Sequence, residues 1–122
     1  MPDLPIDSQM IVIGAGPAGL AVGACLKRVN ITCIILEQSD RVGSTWHHHY
    51  DRLHLHTDKK NSGPPFFPFP KEYPRYPSCS QVITYLEAYT QKFQLDIRFH
   101  QQVISARYEN DWWQVQTQNS LY

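Results

Sequence analysis

Residues 10–37 decide the fold, and they read MIVIGAGPAGLAVGACLKRVNITCIILE. The apolar residues 10–13 predict a β-strand, and residues 31–36 form a continuous apolar run, as expected of a parallel strand covered on both faces. Between these strands, apolar residues recur on one face of a predicted helix, at Leu20, Ala21, Ala24 and Leu26. The stretch therefore predicts a strand, a helix and a second, parallel strand.

A GxGxxG pattern joins the first strand to the helix. Gly14 permits a tight turn, Gly16 lets backbone amides approach a ligand, and Gly19 lets the helix pack onto the strand. Pro17 and Ala18 open the helix, where the missing N–H of proline costs nothing and the positive end of the helix dipole attracts phosphate. With its strand and helix, the pattern indicates a pyrophosphate-binding turn. A merely structural glycine turn is the alternative.

The second strand ends at Glu37, where a carboxylate is placed to accept hydrogen bonds from a ribose 2′-hydroxyl. A 2′-phosphate at this position would be repelled by the carboxylate. The motif by itself therefore indicates FAD or NAD rather than NADP.

The length and composition indicate one small globular domain. A chain of 122 residues cannot hold two domains, and 42% apolar with 18% charged residues is ordinary for a soluble protein. The 11 basic and 11 acidic residues cancel, so charge gives no support for nucleic acid or an anionic membrane as a partner. Residues 10–26 are apolar but carry four glycines and a proline behind an acidic flank, unlike a membrane span or signal peptide.

The cysteines favour a reducing compartment. They are odd in number, and Cys25 and Cys33 fall on elements that are predicted to be buried, which is typical of reduced packing cysteines. We therefore expect a cytoplasmic protein without a disulfide framework.

The rest of the chain alternates loops with short elements. Residues 1–8 predict a loose lead-in and residues 38–50 a polar, aromatic loop, whereas residues 52–57 alternate two leucines with two histidines, like a short extended segment. Residues 61–77 hold six of the nine prolines, so no regular helix can run through them. This stretch is either a long ordered wrap or a disordered linker.

A capped helix and a hairpin follow. Ser78 and Gln81 form a capping box, and the helix should end near Gln94. Its apolar face carries Val82, Ile83, Leu86, Tyr89 and Phe93. Residues 97–99 predict a strand, and residues 103–108 and 112–117 predict a hairpin turned at residues 109–111. These elements leave the first strand poorly covered, so we expect residues 1–122 to be the N-terminal portion of a longer protein.

Several further segments carry a family resemblance. They are EQSDRVGSTW at 37–46, YDRLHLH at 50–56, FFPFP at 66–70, YPRYP at 73–77 and VITYLEAY at 82–89. In order and spacing they resemble the N-terminal part of flavin-containing monooxygenases, and the plant auxin-forming branch and its bacterial relatives are the most similar. The resemblance covers nearly the whole chain.

The resemblance implies a Rossmann-like FAD-binding βαβ unit, here an incomplete domain, with NADPH held by a second domain that this sequence lacks. The implied reaction transfers one oxygen atom from O₂ to a small organic substrate through a C4a-hydroperoxyflavin. The cofactor carries this chemistry, while the protein binds it, orients it and keeps water away. Residues 64–77 are the aromatic wrap suited to excluding water.

The resemblance also assigns roles to individual residues. Gly14, Gly16 and Gly19 match the phosphate turn, Glu37 and Gln38 the ribose contact, Thr45 and Trp46 the flavin side of the loop, and Val103 the residue whose backbone meets adenine. His56 and Thr57 match a pair beside the isoalloxazine ring. Many relatives have Asn-Thr there, whereas the auxin-forming branch has histidine first. His56 is thus the candidate catalytic residue, although its spacing alone favours a half-buried structural histidine.

Other interpretations of single motifs are less favoured. The histidines at 47–49, 54 and 56 suggest a Zn²⁺ or Fe²⁺ site, but no cysteine or carboxylate set completes it, so no metal is predicted. Trp112 and Trp113 face opposite sides of a hairpin, and at most one should pack inward. The PFFP sequence at 65–68 fits a polyproline ligand, but its apolar residues favour a buried wrap.

Two other functions stay open. One is a different FAD-dependent oxidoreductase, such as a disulfide reductase or an amine oxidase, although the three cysteines offer no CxxC or CxxxxC pair. The other is a truncated dinucleotide-binding module without catalysis.

Overall fold

The computed structural model describes residues 9–49 and 52–122. Its elements in chain order are β1 (Met10–Ile13), α1 (Pro17–Arg28), β2 (Cys33–Leu36), α2 (Ser44–His47), α3 (Lys59–Ser62), α4 (Cys79–Lys92), β3 (Ile97–Arg98), β4 (Val103–Glu109) and β5 (Trp112–Thr117). The first three strands form a parallel sheet in the order β1-β2-β3, and β4 and β5 form a separate antiparallel hairpin. The α/β class and the βαβ unit are therefore confirmed. The predicted lead-in at residues 1–8 lies outside the described residues, as do residues 50 and 51, the first two of the YDRLHLH segment.

The strand β2 is the buried centre of the sheet. Ile34, Ile35 and Leu36 are each at most 3% exposed. The strand begins two residues later than the predicted run at 31–36, because the chain is still leaving α1: the backbone N–H of Ile31 donates to the carbonyl of Leu26 at 3.0 Å. The central βαβ geometry is otherwise as predicted.

The helix α1 packs on the sheet through a face of small residues. Leu20, Gly23 and Ala24 are buried, and a Cβ at Gly23 would lie 2.9 Å from Cδ1 of Ile35. Cys25 is exposed, so its predicted burial is wrong. Ala24 faces the core, and the next residue along the helix, Cys25, falls on the side of α1 that faces solvent. Cys33 is half-buried and Cys79 is buried, and all three thiols are free.

The helix α4 holds the aromatic wrap at residues 64–77 against the core. The rings of Phe69 and Tyr85 lie 4.1 Å apart, the ring of Phe67 stacks on Tyr89, and the Tyr89 hydroxyl donates to the carbonyl of Pro65 at 2.9 Å. Residues 63–77 are thus an ordered wrap rather than a linker. Residues 61–77 were predicted to lack a regular helix, but α3 includes residues 61 and 62. The helix ends before the proline at 64.

One ring of the wrap departs from the prediction. Phe67 and Phe69 pack against the core, but Phe66 is 46% exposed, so a wholly buried wrap is wrong at this position. Its backbone has φ +73, which turns its side chain away from the two neighbours that pack inward.

The hairpin turns as predicted. Asn110 and Asp111 both have positive φ, 54 and 68, as a two-residue hairpin turn requires. Trp112 and Trp113 are 64% and 61% exposed, so neither packs inward in the described part of the chain. The strand β1 pairs with β2 alone among the described residues, which leaves its other edge open.

Candidate functional site

The glycine turn between β1 and α1 has the geometry that the sequence predicted. Gly14 adopts φ +101 and donates its N–H to the carbonyl of Leu36 at 2.8 Å. A Cβ at Gly19 would lie 1.9 Å from the carbonyl oxygen of Gly14, so only glycine allows α1 to approach so closely. A Cβ at Gly16 would meet no atom within 4 Å. Glycine at position 16 is therefore not required by packing within the chain.

The first turn of α1 directly follows the glycine turn. Gly16 caps the helix and Pro17 occupies its first position. The opening N–H groups of a helix have no partner within the helix and attract anions. Pro17 and Ala18 are exposed, so this helix end is open to a ligand.

Glu37 is a buried acid that connects three segments. It is 6% exposed, its Oε1 accepts the N–H of Ala15 at 2.9 Å, and its Oε2 accepts the N–H of Ser39 at 2.8 Å. Its backbone N–H donates to the carbonyl of Arg98 at 2.9 Å. Burial acts to raise the pKa of the carboxyl, but the hydrogen bonds from Ala15 and Ser39 outweigh it and hold the pKa below its ordinary value. The carboxylate is thus charged and fixed beside the glycine turn.

A cavity of about 250 Å³ lies where β1 and β2 end. Gly14, Glu37, Gln38 and Val103 all line it, so the structure brings together four of the residues selected from the sequence. Gln101 and Gln102 also line it, and sequence reasoning missed them. Their residue type carries no signal, and only their position after β3 places them there. Ligands of open parallel sheets bind at this end of the strands.

The loop that carries Trp46 is tied to the glycine turn. The N–H of Gly43 donates to the carbonyl of Ala15 at 3.0 Å, and the thiol of Cys79 donates to the carbonyl of Trp46 at 3.0 Å. Gly43 has φ +61, and a Cβ there would lie 2.8 Å from Cδ1 of Leu86. Residues 38–50 are therefore not all loop as predicted, because these contacts stabilise the short helix α2 within them.

The remaining candidates lie outside the cavity. Thr45 is exposed and Trp46 is half-buried. His56 and Thr57 are exposed, and the Thr57 hydroxyl shares a hydrogen bond with the hydroxyl of Ser62 in α3. None of these four side chains lines the cavity at Glu37.

The extended segment predicted at 52–57 forms only at residues 53–55, where Leu55 donates its N–H to the carbonyl of Pro77 at 3.0 Å, and the chain bends at His56 and Thr57. Leu53 is buried and Leu55 half-buried, while His54 and His56 are exposed. Across the described ranges, no cluster of three or more histidine, cysteine or acidic side chains could hold a metal ion. No helix in the same ranges is both long and apolar enough to cross a bilayer.

Comparison with known proteins shows which family the chain matches. Residues 11–122 match the family model described as pyridine nucleotide-disulphide oxidoreductase. Indole-3-pyruvate monooxygenase YUCCA6 of Arabidopsis thaliana is 44% identical over 102 residues, which make up 83% of this chain and 24% of that protein. The probable indole-3-pyruvate monooxygenase YUCCA4 of the same plant is 42% identical over 92% of this chain and 28% of its own length. The chain thus spans about a quarter of these relatives.

Solved structures share the fold. A flavin-containing monooxygenase from Stenotrophomonas maltophilia superposes with a TM-score of 0.86 at 28% identity, over 93% of this chain and 34% of its own. A bacillithiol disulfide reductase from Staphylococcus aureus gives 0.88 at 22% identity, over 94% of this chain and 35% of its own, and supports the fold alone. The match over residues 11–122 identifies the chain as a member of the pyridine nucleotide-disulphide oxidoreductase family.

Proposed function

We propose that this chain is the FAD-binding portion of an NADPH-dependent flavoprotein monooxygenase. The observation that carries the proposal is the cavity at the ends of β1 and β2, where the glycine turn, Glu37 and Val103 meet. The similarity to flavin monooxygenases over most of the chain supports it.

The cavity and the glycine turn that borders it at Gly14 fit the adenosine diphosphate half of FAD. Gly16 leaves space in which a side chain would meet no protein atom, and the open end of α1 favours the pyrophosphate there. Each Glu37 oxygen uses one acceptor position on a backbone N–H and retains others for ribose hydroxyls. The buried carboxylate would repel a 2′-phosphate, which favours FAD in this cavity and a separate domain for NADPH. The backbone of Val103 is the proposed contact with adenine.

The flavin ring is proposed to lie on the side of Thr45 and Trp46, next to His56 and Thr57. Support comes from the hydrogen bond between Gly43 and Ala15, because it joins the loop of Trp46 directly to the phosphate turn. His56 is the proposed catalytic side chain, and its exposure leaves it free to meet a ligand. The rings of the wrap would shield this side from water.

FAD reduced by NADPH would supply the activation of O₂ and the transfer of one oxygen atom to a small organic substrate. The relatives named indole-3-pyruvate monooxygenases make an aromatic 2-oxo acid the candidate substrate. A steroid monooxygenase, 26% identical with a TM-score of 0.82, was solved bound to NADP, which supports the second cofactor.

A disulfide reductase is the second candidate, because the name of the family that matches residues 11–122 points to it. Such an enzyme needs two thiols within reach of each other. Cys25 is exposed on α1, Cys33 is half-buried at the start of β2, and Cys79 is buried and donates to the carbonyl of Trp46. These positions favour the monooxygenase.

The substitution Gly16→Val tests the proposed cofactor site. The valine side chain would occupy the space of the pyrophosphate, so flavin occupancy of the protein in its full natural length should fall by roughly tenfold or more, equivalent to at least ~1.4 kcal/mol of binding free energy. The absorbance spectrum of the purified protein gives the occupancy. Gly63→Val is the matched control, because a Cβ there makes ordinary contacts and its φ of −73 suits any residue. A Gly16→Val protein with full flavin content would refute the assignment of the pyrophosphate to the glycine turn.

A further inference from the structure

A buried hydroxyl at the end of β5 contacts a residue of the cofactor cavity. Thr117 is fully buried, and its Oγ1 lies 2.9 Å from Oε1 of Gln101, which lines the cavity together with Glu37. The backbone N–H of Gln101 donates to the carbonyl of Glu37 at 2.9 Å. Gln101 is therefore joined to the cavity wall through its backbone and to the hairpin through its side chain.

The hydrogen bonds that Thr117 accepts determine which end of the Gln101 amide faces it. A hydroxyl has one proton to donate and two lone pairs with which to accept. Oγ1 of Thr117 accepts the N–H groups of Asn119 at 3.3 Å and Ser120 at 2.9 Å, so both lone pairs are used. An amide N–H of Gln101 would find no acceptor there. The amide oxygen of Gln101 therefore faces Thr117.

The proton of the Thr117 hydroxyl leads to the same orientation. The carbonyl of Ser120 lies 3.2 Å from Oγ1, but it already accepts the backbone N–H of Thr117 at 2.9 Å and Nε2 of Gln116 at 3.1 Å. Oε1 of Gln101 is nearer, and it accepts no other hydrogen bond from the described residues. The hydroxyl thus donates to Gln101, because a buried donor needs an acceptor that is still open.

This orientation leaves the amide nitrogen of Gln101 available to a ligand. Its Nε2 donates to no residue that the structure describes. The nitrogen is not sealed inside the protein, because Nε2 of His47 is the buried side-chain nitrogen that lacks a partner in the described ranges. The carboxylate of Glu37, in the same cavity, can only accept hydrogen bonds. The cavity therefore combines a fixed acceptor with a fixed donor.

The ring nitrogens of adenine accept hydrogen bonds and do not donate them, so they need a donor such as the Gln101 amide. Gln101 also lies two residues before Val103, the proposed backbone contact with the base. We propose that Gln101 is a specificity residue whose amide donates to a ring nitrogen of adenine, and that Thr117 is a positioning residue that holds the amide for this contact. The inference rests on the proposed FAD site.

The test is a double-mutant cycle between the protein and the cofactor, with the apoprotein of full natural length. FAD and its 1-deaza, 3-deaza and 7-deaza adenine analogues are titrated, and the change in flavin fluorescence gives each dissociation constant. Gln101→Met keeps the size of the side chain without the donor, so it should weaken FAD binding about fivefold, as expected for one neutral hydrogen bond. One deaza analogue should bind the parent about fivefold more weakly than FAD, and Gln101→Met should bind that analogue and FAD equally.

Thr117→Val and Thr117→Ser test the positioning role. The valine removes the hydroxyl, so the amide can rotate, and the difference between FAD and that analogue should shrink. The serine keeps the hydroxyl and should restore the difference. A purely structural Thr117 would lower the thermal stability of the valine variant and leave the difference intact. Gln114→Met, at an exposed glutamine of β5, is the matched control and should change neither the FAD affinity nor the difference.

The failure of this contact can be told apart from the failure of the cofactor site. Equal FAD affinity in the parent and in Gln101→Met would overturn the contact and leave the FAD site standing. A loss of affinity for each of the three analogues that persists unchanged in Gln101→Met would do the same, because it would place the donor elsewhere. A parent apoprotein that binds no FAD would refute the proposed function together with the contact.

Discussion

Glu37 is the residue on which the candidate site depends most. Its two oxygens each accept a backbone N–H, one from the glycine turn and one from the chain after β2. Buried hydrogen bonds to a charged group are worth more than those to a neutral one. Glu37 therefore holds the turn in place before any ligand arrives, a second role beside the proposed ribose contact.

Glu37→Gln should lower the free energy of unfolding at pH 7 by about 1–3 kcal/mol, because the amide keeps one acceptor and sets an N–H against a backbone N–H. The pKa of Glu37 is lowered in the folded chain, so its stabilisation is present above the ordinary pKa near 4.5 and is lost as the pH falls through the folded value. Urea unfolding at pH 7 and pH 3 measures the difference. Glu72→Gln, at an exposed acid, is the control. A Glu37→Gln deficit of the same size at both pH values would contradict this account.

At the scale of elements, α4 depends on its N-terminal capping box. The Ser78 hydroxyl accepts the N–H of Gln81 at 3.2 Å, and Oε1 of Gln81 accepts the N–H of Ser78 at 2.9 Å. Ser78→Ala should lower the free energy of unfolding by about 1 kcal/mol, because one helix N–H loses its partner. Thermal unfolding followed by circular dichroism measures the loss. Thr84→Ala, at an exposed position inside α4, should be neutral or slightly stabilising. An equal loss in both variants would argue against the cap.

The elements that the sequence predicted well are those encoded by neighbouring residues. The capping box, the glycine turn and the Asn110-Asp111 hairpin turn each need only a few consecutive positions. The short helix α2 was missed because it depends on the hydrogen bond from Gly43 to Ala15, which are distant in sequence. Contacts between remote segments, such as Arg28 with Phe66, have no local pattern.

At the scale of the whole molecule, the described chain leaves one apolar surface uncovered. We call the edge of β1 together with the adjoining hairpin residues the open surface. Met10, Ile13, Trp112 and Trp113 line a cavity of about 610 Å³ there, and each is between 47% and 64% exposed. Unpaired strand edges and large apolar patches both promote association with another chain. The prediction that β1 would be poorly covered agrees with this arrangement.

The 122-residue chain expressed alone should therefore associate through the open surface. Sedimentation velocity over a concentration series should show a rising average sedimentation coefficient. The double substitution W112Q/W113Q should weaken the association at least about tenfold, because it removes the largest apolar side chains of the surface. Tyr76→Gln is the control, since Tyr76 is 42% exposed but lies on the wrap beside Arg75. Association that is as strong in W112Q/W113Q as in the parent would place the contact elsewhere, and a parent that stays monomeric throughout would show that exposed tryptophans and an open strand edge are insufficient.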